Sequence, residues 1–252
     1  MPDVTMPPEA ATMPDPGDEL VSRVVGGADR TWFYWTGRQS LRDLERTVGI
    51  AGRTLDSFDS ILDFGCGCGR VLLWMEELGR TRALHGTDID AEAIAWCREH
   101  VPYADVTVND PDPPLPHSDG AFDLVFGHSV FTHVDERRQD AWLGELQRVT
   151  RPGGFLVLST HGDLALGDDV WGIRERLEDD GIVFIDNVFG AEYPLPHWYQ
   201  RTHHARWYVF EHWARWFEIR AYVPGGAVGL QDQILLQRPA PDRQRRRSRP
   251  AR

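Results

Sequence analysis

ILDFGCGCGR, residues 61–70, is the stretch whose reading decides the fold. SILDF (60–64) is a short apolar strand that carries Asp63 near its end. Gly65, Gly67 and Gly69 follow at alternate positions, and GRVLLWMEELG (69–79) predicts a helix that stops at Gly79. Glycines here let the backbone bend sharply and approach a ligand where Cβ atoms would obstruct it. A helix start directly behind them offers free N–H groups to the anionic end of that ligand.

Working outward, strand and helix alternate. ALHGTD (83–88) predicts a strand, DAEAIAWCREH (90–100) a helix and DVTVND (105–110) a strand, followed by the Pro-rich loop PDPPLPHSDG. AFDLVFG (121–127) is the next strand, DERRQDAWLGELQRVT (135–150) a helix, and GFLVLSTH (154–161) a strand after the turn RPGG. Upstream, RQSLRDLERTV (38–48) sets Leu41, Leu44 and Val48 on one helical face. Short apolar strands alternating with helices imply an α/β domain with a doubly wound parallel sheet covered on both faces. Asp88 lies 25 residues after Asp63, so neighbouring parallel strands bring both carboxylates to the sheet edge where such folds bind ligands. A carboxylate there suits two ribose hydroxyls.

After residue 161 the rhythm changes. Residues 162–205 read as a long connection with a helix at 168–179 and a short strand near 182–186, followed by a helix at 206–215. WFEIRAYVPGG (216–226) and VGLQDQILLQR (228–238), joined by Pro-Gly-Gly, predict an antiparallel hairpin closing the sheet.

Composition excludes several chemistries. The 27 basic residues are all Arg; without any Lys there is no Schiff-base or P-loop Lys chemistry. Formal net charge is −12, and near −17 without the Arg-rich end, so a phosphate backbone is a poor partner. Cys66, Cys68 and Cys97 have neither a disulfide framework nor zinc spacing, and no metal site is expected. No run approaches the length of a membrane span, and the start lacks the features of a secretory signal, so the reading is cytoplasmic. Residues 1–17, with five Pro, read as a disordered leader, 18–238 as the folded domain, and 239–252 as a disordered Arg-rich tail.

The glycine turn alone is ambiguous, because dinucleotide-binding oxidoreductases also use one. Their G-x-G-x-x-G pattern fails here: the third position is Leu72 counted from Gly67 and Arg70 counted from Gly65. The order Asp-x-Gly-x-Gly-x-Gly instead resembles the first motif of the class I S-adenosylmethionine (SAM)-dependent methyltransferases. LPHSDGAFDLVFGHSVFTHV (115–134) resembles that family's fourth-strand segment, and LGELQRVTRPGGFLVLST (143–160) its helix, RPGG turn and fifth strand.

The resemblance implies a Rossmann-like, seven-stranded sheet with an antiparallel last strand, and a substrate lid (162–215) inserted between strands 5 and 6. It implies SAM as cofactor, with Asp63, Gly65, Cys66 and Gly67 around its amino-acid part, Asp88 on the ribose and Ile89 on the adenine. Asn109 or Asp110 would lie near the adenine amine, and His128 and Ser129 under the sulfonium. Tyr34 and Gly37, in TWFYWTGRQS (31–40), would fold over the cofactor, core packing of this segment being the equal alternative. The sequence also resembles stand-alone bacterial enzymes of secondary metabolism, which implies a small-molecule acceptor.

Candidate bases are His204 and His128, then His133, with His161 and His203 behind them; each also reads as a hydrogen-bonded structural histidine. The aromatic-rich connection, with Trp171, Phe184, Phe189, Tyr193, Trp198 and Tyr199, is where substrate choice is expected, and Asp186 is a possible amine anchor. The rival classes are an NAD-dependent oxidoreductase and a non-enzymatic binding module on the same fold. Oligomeric state has no signature in the sequence.

Overall fold

The computed structural model describes residues 4–167, 172–186, 188, 196 and 198–240. Nine strands and seven α-helices occur among them, in the order α1 (Asp18–Val25), α2 (Arg30–Gly49), β1 (Ser60–Phe64), α3 (Glu76–Gly79), β2 (Ala83–Asp88), α4 (Ala91–His100), β3 (Ala104–Val108), β4 (Phe122–Gly127), α5 (Glu136–Val149), β5 (Thr150–Thr160), α6 (Ile173–Asp180), β6 (Ile182–Ile185), β7 (Arg201–His204), α7 (Arg206–His212), β8 (Glu218–Ala227) and β9 (Gln231–Gln237). Seven strands form one sheet in the order β3-β2-β1-β4-β5-β9-β8. The first five are parallel, and β9 runs antiparallel to both neighbours.

The strand sequences explain why both faces are covered. Successive side chains point to opposite faces: Ile61, Leu124, Phe126, Val157 and Leu235 join one apolar cluster with α2 and α4. Their neighbours Leu62, Val125, Leu156, Ile234 and Leu236 join a second with α5 and α7. Each main helix is started by an aspartate accepting backbone N–H groups: Asp29 from Trp32, Asp90 from Glu92 and Ala93, Asp135 from Arg138.

Four local expectations are corrected. The helix expected over 69–79 is a 3₁₀ turn (Leu72–Trp74) and the single turn α3, because Met75 leaves helical backbone at φ −108°, ψ 15°. The helical segment before β1 starts at Arg30, so TWFYWTGRQS lies inside α2. The final hairpin turns at 228–230, not at Pro-Gly-Gly, which lies within β8 where its register with β9 shifts. Residues 4–17 are not a disordered leader: Pro8–Thr12 form a 3₁₀ turn, Ala10 is buried, and the Tyr34 hydroxyl donates to the Pro14 carbonyl at 2.8 Å.

Between β5 and β8, β6 and β7 form a separate antiparallel pair. It joins the main sheet through a bridge between His161 and His203. The sequence pattern predicts β6 but not β7, whose Arg-Thr-His-His lacks apolar alternation. Trp171, Phe189, Tyr193 and the tail from 241 lie outside the described residues. No helix among them is long and apolar enough to cross a membrane.

Candidate active site

The turn after β1 is tied to the end of β2. Gly65 and Cys66 donate backbone N–H bonds to the Thr87 carbonyl at 2.8 and 3.0 Å. Asp88 Oδ2 then accepts from Gly67 N at 2.7 Å and Oδ1 from Asp90 N at 2.9 Å. Gly65 adopts φ 78°, and a Cβ there would lie 2.3 Å from Val130 Cγ2, so this position requires glycine on both counts. The loop is thereby pressed between the ends of β2 and β4.

A cleft opens over this loop, with Asp63, Gly65, Cys66, Gly67, Asp88 and Ile89 on its floor. Asn109, Pro111 and Trp142 line it from beyond β3 and from α5, and His128, Ser129 and Val130 from the end of β4. Leu20, Arg23 and Val24 of α1 cover it, and Arg23 reaches across to Asp90 at 2.9 Å and Glu92 at 2.6 Å. Trp198 and Tyr199 line it from the insertion.

The electrostatics of the cleft are set by burial. Asp63 is 2% exposed, its Oδ2 has no partner among the described residues, and desolvation raises its pKa to about 8, opposed in part by Arg70. Asp88 is shifted up for the same reason, while its backbone N–H bonds pull it down. Asn109 is buried with Oδ1 unpartnered among the described residues.

A second pocket adjoins the cleft. It is lined by Trp32, Thr36, Arg70, His128, His133 and Gln231, among others. Burial, and secondarily Arg70, hold His128 well below its ordinary pKa. His133 is brought to about 4, chiefly by burial, and its Nδ1 donates to the Gln200 carbonyl at 2.7 Å while the ring stacks on Tyr199. Both imidazoles are therefore neutral near pH 7. Ser129 sits between the two cavities at φ 63°, a strained value for a residue with a Cβ; its N–H donates to Ser159 Oγ and its Oγ accepts from Gln231 Nε2.

Of the residues singled out from sequence, Asp63, Gly65, Cys66, Gly67, Asp88, Ile89, Asn109, His128 and Ser129 converge on the cleft. His133 lines the side pocket. Four do not converge. Asp110 is exposed and does not line the cleft, and its backbone carbonyl accepts from Asn109 Nδ2, so of the two candidates only Asn109 reaches the cleft. Tyr34 is buried against Phe33 and the leader. Gly37 lets α2 close onto the loop, since a Cβ would lie 2.2 Å from the Arg70 carbonyl oxygen. His204 is a core residue: 1% exposed, it donates from Nε2 to Gln139 Oε1 at 2.9 Å, the Gln139 amide itself donating to the Phe131 and Val134 carbonyls. With its pKa lowered to about 3 by burial, it lines neither cavity.

His161 lines neither cavity, and its pKa is lowered to about 2, chiefly by burial; His203 is packed beside it. Asp186 is exposed in a turn after β6. Arg70 and Gln231 are the residues missed. Arg70 is visible as the one cation in the stretch 61–70, whereas Gln231 depends on the hairpin closing beside Ser129. Among the described residues no group of His, Cys, Asp and Glu could hold a metal.

Comparison with known proteins agrees with this geometry. Residues 61–154 match the family model described as a methyltransferase domain. The chain is 33% identical over 146 residues to a ribosomal protein L11 methyltransferase of Geobacter metallireducens, covering 58% of this chain and 44% of that protein. It is 31% identical over 129 residues to a malonyl-[acyl-carrier protein] O-methyltransferase of Pectobacterium atrosepticum, covering 50% and 49%. The chain thus spans about half the length, or less, of these relatives. The fold is similar to magnesium protoporphyrin IX methyltransferase from Synechocystis with bound S-adenosylhomocysteine (SAH), with TM-score 0.55 and 16% identity, covering 82% of this chain and 86% of that one.

Proposed function

We propose that the chain is a class I SAM-dependent methyltransferase, a reading supported by the match of residues 61–154 to the methyltransferase-domain model, and that it transfers a methyl group from SAM to a nitrogen, oxygen or carbon nucleophile of a small molecule. One observation carries this reading. Three adjacent strands deliver Asp63, Asp88 and Asn109 to a single cleft, and two of the three keep a buried oxygen without a partner among the described residues. Buried polar atoms are normally satisfied, so such orphans mark a place for ligand donors.

The residues fit the cofactor's parts. Asp63 would hold the ammonium, which favours its ionised form; Asp88, whose two oxygens each retain a lone pair beyond their backbone bonds, would hold the ribose hydroxyls. Asn109 would take the adenine amine, with Ile89 and Pro111 against the ring. When bound, SAM supplies a methyl group on a positively charged sulfur that is neutralised as the acceptor attacks from the opposite side. The protein's share is proximity and exclusion of water. His128 at the rim and His133 behind it would accept a hydrogen bond from the acceptor. Residues 162–215 would act as its lid on a body formed by 18–238.

The small-molecule assignment is supported by the acidic net charge, which opposes nucleic acid, and by the side pocket beside the cleft. A natural product or metabolite made in the cytoplasm of a bacterium fits both. Calorimetry of the protein with SAH against NAD tests the cofactor; binding of NAD alone would overturn the reading. A metabolite screen with SAM, reading SAH release and a product mass gain of one methylene, tests the transfer. Activity confined to ribosomal protein or RNA would remove the small-molecule part.

A further inference from the structure

The charge of the side pocket bears on its acceptor, and so rests on the methyltransferase reading. Among the described residues two arginines line this pocket and no Asp or Glu does, in a chain of formal net charge −12. Arg23 is already neutralised by Glu19, Asp90 and Glu92. Arg70 is not. Among the described residues its one hydrogen bond runs from Nη1 to Thr36 Oγ1 at 3.3 Å, and no carboxylate lies within 4.0 Å of it. A guanidinium offers five N–H donors in a fork that matches a carboxylate. A partly buried guanidinium with one long bond is costly unless a ligand completes it. Arg70 lines both cavities, where the acceptor must meet the methyl group.

We propose that the side pocket takes methyl acceptors that carry a carboxylate, seated on Arg70: small organic acids with a flat or apolar body. Trp32, Tyr199, Val228 and Leu230 give the pocket walls for such a body. The pocket's histidines do not compete for the negative charge, since burial holds both neutral. A second polar group is provided for as well. Gln231 commits its Nε2 to Ser129 Oγ, and its buried Oε1 has no partner among the described residues. That oxygen accepts a hydrogen bond from an acceptor O–H or N–H. The other carboxylate in reach of Arg70 is the cofactor's own, and the experiment separates the two.

Wild type, Arg70→Gln and Arg70→Lys are titrated with SAH and with 5′-methylthioadenosine, which lacks the amino-acid carboxylate. Thermal melts confirm folding, and Arg70→Lys serves if the Gln variant does not fold. Turnover is then read as SAH release on carboxylic acids paired with their primary amides. The expected result is wild-type preference for acids by about tenfold or more in KM. That preference should be lost in Arg70→Gln with kcat retained, and partly kept in Arg70→Lys, while SAH affinity is unchanged. Equal use of acids and amides by the wild type overturns the proposal. So does weakened SAH binding in Arg70→Gln: with methylthioadenosine unaffected, Arg70 serves the cofactor carboxylate, and with both weakened it serves the loop. In either case wild-type SAH binding leaves the methyltransferase reading standing; no SAH binding by the wild type removes both.

Discussion

Replacing Asp63 with asparagine should make the ligand-free protein more stable at neutral and mildly alkaline pH, and at the same time loosen its grip on SAH. The carboxyl is 2% exposed at the end of β1, and burial raises its pKa from 3.8 to about 8. The folded chain therefore binds this proton more tightly than the unfolded chain does. Below about pH 4 both states are protonated and nothing is lost; as pH rises from there to about 8, stability falls. The slope is at most about 1.4 kcal/mol per pH unit, giving roughly 4 kcal/mol at pH 7 as an upper order of magnitude. The amide of the Asp63→Asn variant does not titrate, so the gap between variant and wild type should widen with pH across that window. Urea unfolding at half-unit pH steps, with m unchanged, measures it. Parallel stability profiles for the two proteins would refute the reasoning. The affinity arm has the opposite sign: an ammonium beside Asp63 ionises it, so SAH binding at pH 7 should release a proton from wild type but not from Asp63→Asn. Calorimetry in buffers of different ionisation enthalpy counts that proton.

Asp88→Ala removes the acceptor that fixes Gly67 N and Asp90 N, and should weaken SAH binding at least about tenfold, or about 1.4 kcal/mol; an unchanged dissociation constant would strip the residue of its role. Gly65→Ala drives a methyl group to 2.3 Å from Val130 Cγ2 at φ 78°, and should cost about 1–3 kcal/mol with loss of SAH binding, read by thermal melt and calorimetry. His204→Ala opens a core cavity and breaks the bond to Gln139, so its melting point should fall by the equivalent of about 2–4 kcal/mol. His128→Ala should lower turnover with little change in melting point; the reverse pattern for the two variants would restore His204 as the reactive residue.

The parts legible in the sequence are those where one residue type is forced. Strands buried on both faces must be continuously apolar, so β1, β4 and β5 stand out, and the sharp turn after β1 must be glycine-rich. Asp63 and Asp88 follow from strand ends alone. Asn109 does not: β3 ends at Val108, and nothing in Asn-Asp-Pro tells which polar side chain turns inward. The leader shows how composition misleads, because five prolines describe a chain without regular structure, yet Ala10 and the Pro14 carbonyl find partners on α2. His204 misled for the complementary reason. A polar residue before a helix looks like surface, and only Gln139, 65 positions away, makes its burial tolerable. β7 escaped because its pairing with β6, not its own pattern, makes it a strand.

The first helix turns the cofactor slot into a chamber with a latched door. Val24 lies so near the loop that a Cβ on Gly67 would come within 2.8 Å of its methyl, and Arg23 is fastened to α4 through Asp90 and Glu92. If a nucleoside passes beneath that helix, the latch must lift first, and one event gates arrival and departure alike. Dissolved salt weakens the exposed arm to Glu92 more than the partly buried pair with Asp90; the exchange of spent for fresh methyl donor should therefore quicken only modestly as ionic strength rises, and more in a Glu92→Gln variant at low salt, which stopped-flow release of a fluorescent SAH analogue would time.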